Sequence, residues 1–229
     1  MTNLNIQIKT SKNVKRYYYL AIPIAITAIV VFYALNFHEN NSVSNSNQIS
    51  PQALIENGSP LLGDPRARIT IVEFGDYQCT YCHAFHQNTK DQLIQDYVNT
   101  GKVNFVFRDF PLNGPASVLA AQAAYCAGDQ NKYWQYHDEL YNNWDGENTG
   151  WVNQKSLDQF ASNVNLDLTE FDTCISDKKY EQKVLNNQQF GEKLGVNATP
   201  SFIIFSDKKV TTIVGAQPYS VFKQALDSI

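Results

Sequence analysis

Ile69-Thr-Ile-Val-Glu-Phe74, followed by Gly75-Asp-Tyr-Gln78 and then Cys79-Thr-Tyr-Cys82 with His83 directly after it, is the run that decides the fold. Its first six residues are apolar or β-branched apart from Glu73, the composition of a buried strand. From His83 to about Asn99, the residues Phe85, Leu93, Ile94, Tyr97 and Val98 recur roughly at helical spacing. The C-x-x-C therefore falls where a strand ends and a helix begins. A thiolate there faces unpaired backbone N–H groups and the positive end of the helix dipole. Both lower its pKa and make it nucleophilic at neutral pH. In that context the four-letter motif predicts redox chemistry.

Toward the C-terminus, Thr100-Gly101 ends the helix, and Val103 to Phe107 reads as a second strand closed by Phe110-Pro111. No strand signal follows until Lys183. Ser117–Gly128, Lys132–Trp144, Ser156–Asn163 and Thr169–Ser176 read as short helices separated by Gly, Asn and Asp. Gln182–Leu194 is a longer helix ended by Gly195. Ser201–Phe205 and Val210–Val214 are strands joined by the turn Ser206-Asp-Lys-Lys209, and a helix over Tyr219–Leu226 closes the chain. There is no internal repeat.

Toward the N-terminus, Gly63-Asp-Pro65 is a turn into the first strand, and the folded domain is expected from Gly58. Residues 38–57 are rich in Asn and Ser and read as a flexible linker, with N-x-[ST] triplets at Asn40 and Asn57. Tyr17 to Phe37 is a run broken only by Pro23, Thr27 and Asn36, long enough to cross a hydrocarbon core of about 30 Å. Lys9, Lys12, Lys15 and Arg16 precede it, and no Lys or Arg recurs before Arg66. That asymmetry keeps residues 1–16 cytoplasmic and puts the rest outside. A cleaved signal peptide is the rival reading; its apolar core is normally shorter, and Ala34-Leu-Asn36 is a poor cleavage site.

The 229 residues carry a net charge of −4, with 17% charged and 13% aromatic residues. This is a globular composition with no basic patch to track phosphates, so nucleic-acid binding is not expected. Setting aside the four N-terminal cations leaves 14 of the 18 basic residues against 22 acidic ones, an acidic outer domain. The cysteine count is four, and with the membrane signal it points to an oxidising compartment.

Two separated stretches carry a resemblance. Gly63 through Cys82 resembles the opening of the DsbA-like disulfide oxidoreductases, and Val196-Asn-Ala-Thr-Pro-Ser-Phe-Ile-Ile-Phe205 resembles their cis-proline loop and following strand. Ala120-Ala-Gln-Ala-Ala-Tyr-Cys126, with Tyr133-Trp-Gln-Tyr-His137, is similar to the family's helical insertion. The resemblance covers about residues 60–229. It implies an α/β, thioredoxin-like fold with an inserted all-helical subdomain, here preceded by one N-terminal transmembrane helix. The expected layout is a cytoplasmic tail over 1–16, an anchor over 17–37 and a linker over 38–57. A thioredoxin core then occupies 58–112 and 184–229, around an insertion at 113–183.

The family pattern also assigns roles. Cys79 matches the exposed attacking thiol and Cys82 the buried resolving thiol. Pro200 matches the cis-proline, leaving the Thr199 backbone free to pair with an extended client. Thr80, Tyr81, Thr199 and Pro200 are the expected substrate contacts. Glu73 matches a buried acid that ferries protons for the resolving thiol, and burial would raise its pKa toward neutrality; a Glu on an edge strand, facing solvent, is the alternative. Asp76 reads as a turn or capping residue. Thr80-Tyr81 departs from the Pro-His of strongly oxidising members, so the reduction potential stays open between about −270 and −120 mV.

His83 makes the motif C-x-x-C-H, the attachment signature of c-type haem. The single Met is Met1, and the strands and the Thr-Pro loop would go unexplained by a haem domain. A zinc site from Cys79, Cys82, His83 and His86 lacks the usual second, separated pair of ligands. No cofactor and no metal are expected. Cys126 and Cys174 read as a structural disulfide in the helical block, ahead of two free buried thiols or a second redox relay. Trp134, Trp144, Trp151 and the tyrosines at 133, 136 and 141 read mostly as core, and His137 as a packed helix residue.

The resulting expectation is a membrane-anchored, monomeric thiol–disulfide oxidoreductase on the extracytoplasmic side. Its partners would be cysteine-containing unfolded or folding proteins and, by resemblance, a quinone-linked membrane protein that reoxidises it. The alternatives are an isomerase or reductase using the same pair, and a non-catalytic thioredoxin-like module that binds clients.

Overall fold

The computed structural model describes residues 50–229. The tail over 1–16, the apolar run from Tyr17 to Phe37, Asn40 and most of the linker lie outside them. Among the described residues no helix is long and apolar enough to cross a membrane.

Four strands form one mixed sheet in the order β2-β1-β3-β4. They are β1 (Ile69–Gly75), β2 (Val103–Asp109), β3 (Ser201–Phe205) and β4 (Val210–Val214). β1 runs parallel to β2 and antiparallel to β3, and β3 and β4 form a hairpin. β1 is thus flanked on both edges, and Thr70 to Gly75 are all buried. Side chains alternate across the sheet. Ile71, Phe105, Phe202 and Ile204 pack on one face with Phe85, Leu93, Phe222 and Leu226. Val72, Phe74, Val106 and Phe205 pack on the other with Leu54 and Phe110. Each large apolar side chain so buried contributes about 1.5–3 kcal/mol.

Helix α2 begins at Thr80–Phe85 and runs on through π-helical His86–Lys90, α-helical Asp91–Leu93 and π-helical Ile94–Val98. It starts three residues before the position where its apolar periodicity begins, because its first turn lies at the site rather than on the core. Between β2 and β3 come α3 (Pro115–Asp129), α4 (Tyr133–Asn142), α5 (Gln154–Asn163), α6 (Leu168–Ser176) and α7 (Glu181–Lys193); α8 (Tyr219–Asp227) follows β4. Buried side chains of α3 to α6 share one cluster with Tyr77, Cys79, Cys82 and Phe107. Cys126 of α3 is disulfide-bonded to Cys174 of α6, with Cα atoms 5.8 Å apart.

The linker reading needs one correction. Residues 50–57 are not a free tether: Pro51–Ile55 form helix α1, N-capped by Ser50, with Leu54 buried. Arg108 of β2 holds this helix, donating from Nη1 to the carbonyls of Ala53 (2.7 Å) and Leu54 (3.2 Å) and from Nη2 to Asn187 Oδ1 (2.7 Å). Serine followed by proline is a helix-start signal, and here it sits inside an Asn- and Ser-rich stretch that masks it.

Candidate active site

The site is assembled where β1 ends. Glu73 pairs across the sheet with Phe107 and Phe202 and is only 2% exposed. It is not an edge residue, since β1 has a neighbour on each side. Burial pushes its carboxyl up to about 8, opposed by the positive charge of Lys90 and reinforced by Cys79. At neutral pH Glu73 therefore holds its proton.

Four residues then carry the chain from strand to helix, and each is tied down. The Asp76 carboxylate accepts the N–H of Gln78 (2.8 Å), the N–H of Asn113 (2.8 Å) and Nδ2 of Asn113 (3.1 Å). This is the turn-stabilising role expected of it. The Asp76 N–H points at Cys82 Sγ, 3.5 Å away. Tyr77 is buried, with its hydroxyl 2.9 Å from His137 Nδ1 and 3.3 Å from the Tyr133 hydroxyl. Gln78 donates from Nε2 to Ser117 Oγ (2.9 Å), while its carbonyl accepts from Trp144 Nε1 (2.9 Å) and its Oε1 from the Asn148 N–H (3.2 Å). The helical segment between β2 and β3 thus fixes the approach to Cys79 from outside.

Cys79 is the N-cap residue of α2, with extended backbone and no side-chain cap. Its thiol is pulled down to about 6. The largest cause is a hydrogen bond from Cys82; Thr199 and the N–H groups of Cys82 and Tyr81 add to it, and desolvation opposes it. Cys82, one turn deeper and wholly buried, is pushed well up, first by burial and then by the nearby Cys79. Both thiols are free in this structure. One sulfur is thus poised as a thiolate at neutral pH, and its neighbour is poised to keep a proton.

The Thr199–Pro200 peptide is cis, and the Thr199 carbonyl accepts from Cys79 Sγ at 3.5 Å. The two motifs, 120 positions apart, therefore meet. This contact accounts for one departure from expectation: Cys79 is not openly exposed but only 6% so. Thr80 is exposed, and Tyr81 is 65% exposed at the rim.

The remaining sequence-flagged groups have other engagements. His83 lies flat on Trp144, with ring centroids 4.5 Å apart, and its Nδ1 is 3.1 Å from the Tyr141 carbonyl. His86 is buried and stacks on Tyr141, with ring centroids 4.9 Å apart. Among the described residues, His86, His137 and Asp138 bring three potential metal-ligand atoms within 4.8 Å of one another. The Lys90 ammonium is paired with Asp138 there and already supplies positive charge. This set shares only His86 with the quartet Cys79, Cys82, His83 and His86, which the sequence spacing disfavours as a zinc site. Asn57 sits at the end of the α1 segment, and its carbonyl accepts from Asn187 Nδ2 at 2.9 Å.

A thioredoxin family profile matches residues 56–228. The chain belongs to the thioredoxin family, and within it to the DsbA-like thiol–disulfide oxidoreductases. It is 27% identical over 175 residues to disulfide bond formation protein D of Bacillus subtilis, covering 75% of this chain and 78% of that protein. It is 29% identical over 147 residues to a probable disulfide bond formation protein D of Bacillus anthracis, covering 62% and 68% respectively. Among solved structures it is similar to Wolbachia pipientis alpha-DsbA1, with a TM-score of 0.67, 31% identity and coverage of 76% of this chain and 90% of that one. Oxidised BdbD from Bacillus subtilis aligns with a TM-score of 0.65 and 25% identity, covering 74% and 91%. The thioredoxin-like α/β architecture and the family expected from the two motifs therefore hold.

Sequence reasoning passed over Gln78 and Glu147 at this site; Tyr141, read mostly as core, is indeed buried, and its hydroxyl donates to the Asp76 carbonyl at 3.3 Å. Gln78 reads as a spacer before the motif, and Glu147 lies 67 positions beyond Thr80, to whose N–H it bonds. Only folding brings such residues together, and no periodicity marks them.

Proposed function

We propose that the protein oxidises client dithiols on the extracytoplasmic side of a membrane, held there by the apolar run Tyr17 to Phe37 and acting as a monomer. The observation that carries this reading is the pairing of a thiol lowered to about 6 at a helix N-cap with a buried, proton-holding thiol one turn deeper, under the Thr199 carbonyl.

In the oxidised protein a client thiolate attacks Cys79 Sγ. The Cys79–Cys82 bond breaks, the client–Cys79 bond forms, and Cys82 leaves as a thiolate. Glu73, protonated at neutral pH, gives its proton to Cys82. A second client thiolate then attacks the client sulfur of the mixed disulfide. The client gains a disulfide, Cys79 departs as the more stable thiolate, and two electrons remain on the protein. A membrane partner with its own disulfide, linked to quinone, takes those electrons and restores the Cys79–Cys82 bond. Thr80, Tyr81, Thr199 and Pro200 form the client contact surface, and the helical segment over 113–183 acts as the insertion framing it. The Cys126–Cys174 bond takes no part in the electron transfer.

The test is a trapping experiment. Cys82→Ser should accumulate mixed disulfides with clients through Cys79, and Cys79→Ser should trap none. If Cys82→Ser also traps nothing while client binding persists, the protein is a binding module instead. A redox titration against glutathione separates oxidant from isomerase or reductase: a potential near thioredoxin's, about −270 mV, would overturn the oxidising direction.

A further inference from the structure

Helix α2 presents its first N–H groups to two anions rather than one. The N–H groups of Tyr81 and Cys82 serve the Cys79 thiolate. The N–H of Thr80, the first helical residue, instead donates to Glu147 Oε1 at 2.8 Å. Glu147 belongs to the loop between α4 and α5, and that loop is built to reach this point. Trp144 Nε1 and the Asn148 N–H grip Gln78, Trp151 Nε1 donates to the Gly146 carbonyl at 2.9 Å, and Gly146 and Asn148 adopt φ of 97° and 56°. The carboxylate is exposed, so nothing forces it onto Thr80 by burial. α2 has no side-chain cap of its own.

We propose that Glu147 is a positioning residue for the thiol chemistry: its carboxylate takes the first N–H of α2, shares the positive helix end with Cys79 and so limits how far the thiolate is stabilised. A carboxylate at a helix N-terminus is favourable for the helix. For a second anion at the same terminus it is a like charge, and it raises the free energy of the thiolate. Cys82, Glu73, Tyr141 and Thr199 also act on Cys79 or are acted on by it. None of these four is an exposed charge, whereas the Glu147 carboxylate is exposed, so salt can screen its influence. Its effect on reduction potential rests on the oxidoreductase reading; its effect on the Cys79 thiol does not.

The experiment is a titration of reduced full-length protein followed by thiolate absorbance, for wild type and Glu147→Gln. The glutamine keeps an acceptor for the Thr80 N–H and removes the charge. The Cys79 pKa should fall by roughly half a unit at low salt, with the difference shrinking in about 1 M salt, where the Debye length is near 3 Å. The reduced form gains in stability, so the equilibrium constant against glutathione should shift about threefold toward oxidant. At about 30 mV per tenfold change that is near 15 mV. An unchanged or raised Cys79 pKa overturns the proposal, as does a shift that salt leaves intact. The amide proton of Thr80, followed by NMR, should move as Glu147 ionises and lose that step in Glu147→Gln. A flat Thr80 amide in wild type overturns it even if the variant folds poorly. The titration needs no client. A pKa shift with no Cys82→Ser trapping sinks the oxidoreductase reading alone, and trapping with no shift sinks only the role of Glu147.

Discussion

Glu73 and Cys79 stand six residues apart and shift in opposite senses: burial raises the Glu73 carboxyl, whereas hydrogen bonds, first from Cys82, outweigh burial and lower the Cys79 thiol. The Glu73 carboxyl has no countercharge close enough to offset its desolvation, so it rises from its ordinary 4.5 to about 8. The folded protein then binds a proton that the unfolded chain releases. Stability from this group is full below pH 4.5 and is lost as the pH climbs to about 8, by on the order of 4 kcal/mol. Glu73→Gln should abolish that loss, so its melting temperature should exceed the wild type's at pH 8 and converge with it near pH 4. The same variant has no proton to give to the departing Cys82, so formation of the client–Cys79 mixed disulfide should slow at neutral pH, measured by stopped-flow of the oxidised protein with a model dithiol. Equal rates would remove Glu73 from the proposed mechanism.

At the scale of elements, two ties hold the segments that carry no catalysis. The Cys126–Cys174 bond links α3 and α6 across 48 positions, both sulfurs lying in the buried cluster. By loop-closure entropy it stabilises the fold by about 4 kcal/mol. Cys126→Ser with Cys174→Ser should lower denaturant stability by that order while leaving the rate of thiol exchange at Cys79 within about twofold. A comparable loss of exchange rate would mean the bond takes part in the redox cycle. Helix α1 depends on Leu54 in the apolar cluster and on Arg108 at its carbonyl end. Leu54→Ala should cost about 2–3 kcal/mol by urea unfolding. A loss under about 0.5 kcal/mol would return residues 50–57 to a loose tether.

For the molecule as a whole, the reduced state combines both titrations. Cys79 has a folded pKa of about 6 against an ordinary 9.0, so its contribution to stability is full above pH 9 and disappears as the pH falls through 6. Glu73 runs the other way across an overlapping range. Reduced wild type should show a shallow stability profile between pH 6 and 8, and reduced Glu73→Gln a rising one, by calorimetry. Parallel profiles for the two proteins would contradict the opposition of the two groups.

Much of this organisation was legible in the chain. The β-branched run of β1, the apolar hairpin Ser201–Phe205 with Val210–Val214, and the glycine stops are local signals, and the structure places β3 and β4 at those bounds. Strand composition and helical periodicity are set by which face a residue turns to the core, and neighbours in sequence record that. The pair Cys79 and Cys82, one helical turn apart, is equally local. The tertiary structure alone decided that Thr199 closes over Cys79, that Glu73 lies on an interior strand, that α1 is part of the folded body, and that Glu147 reaches the start of α2. These are contacts between residues from 34 to 129 positions apart, and the charge state of each group follows from the solvent its distant neighbours exclude. No window of sequence encodes that exclusion; only the packed chain does.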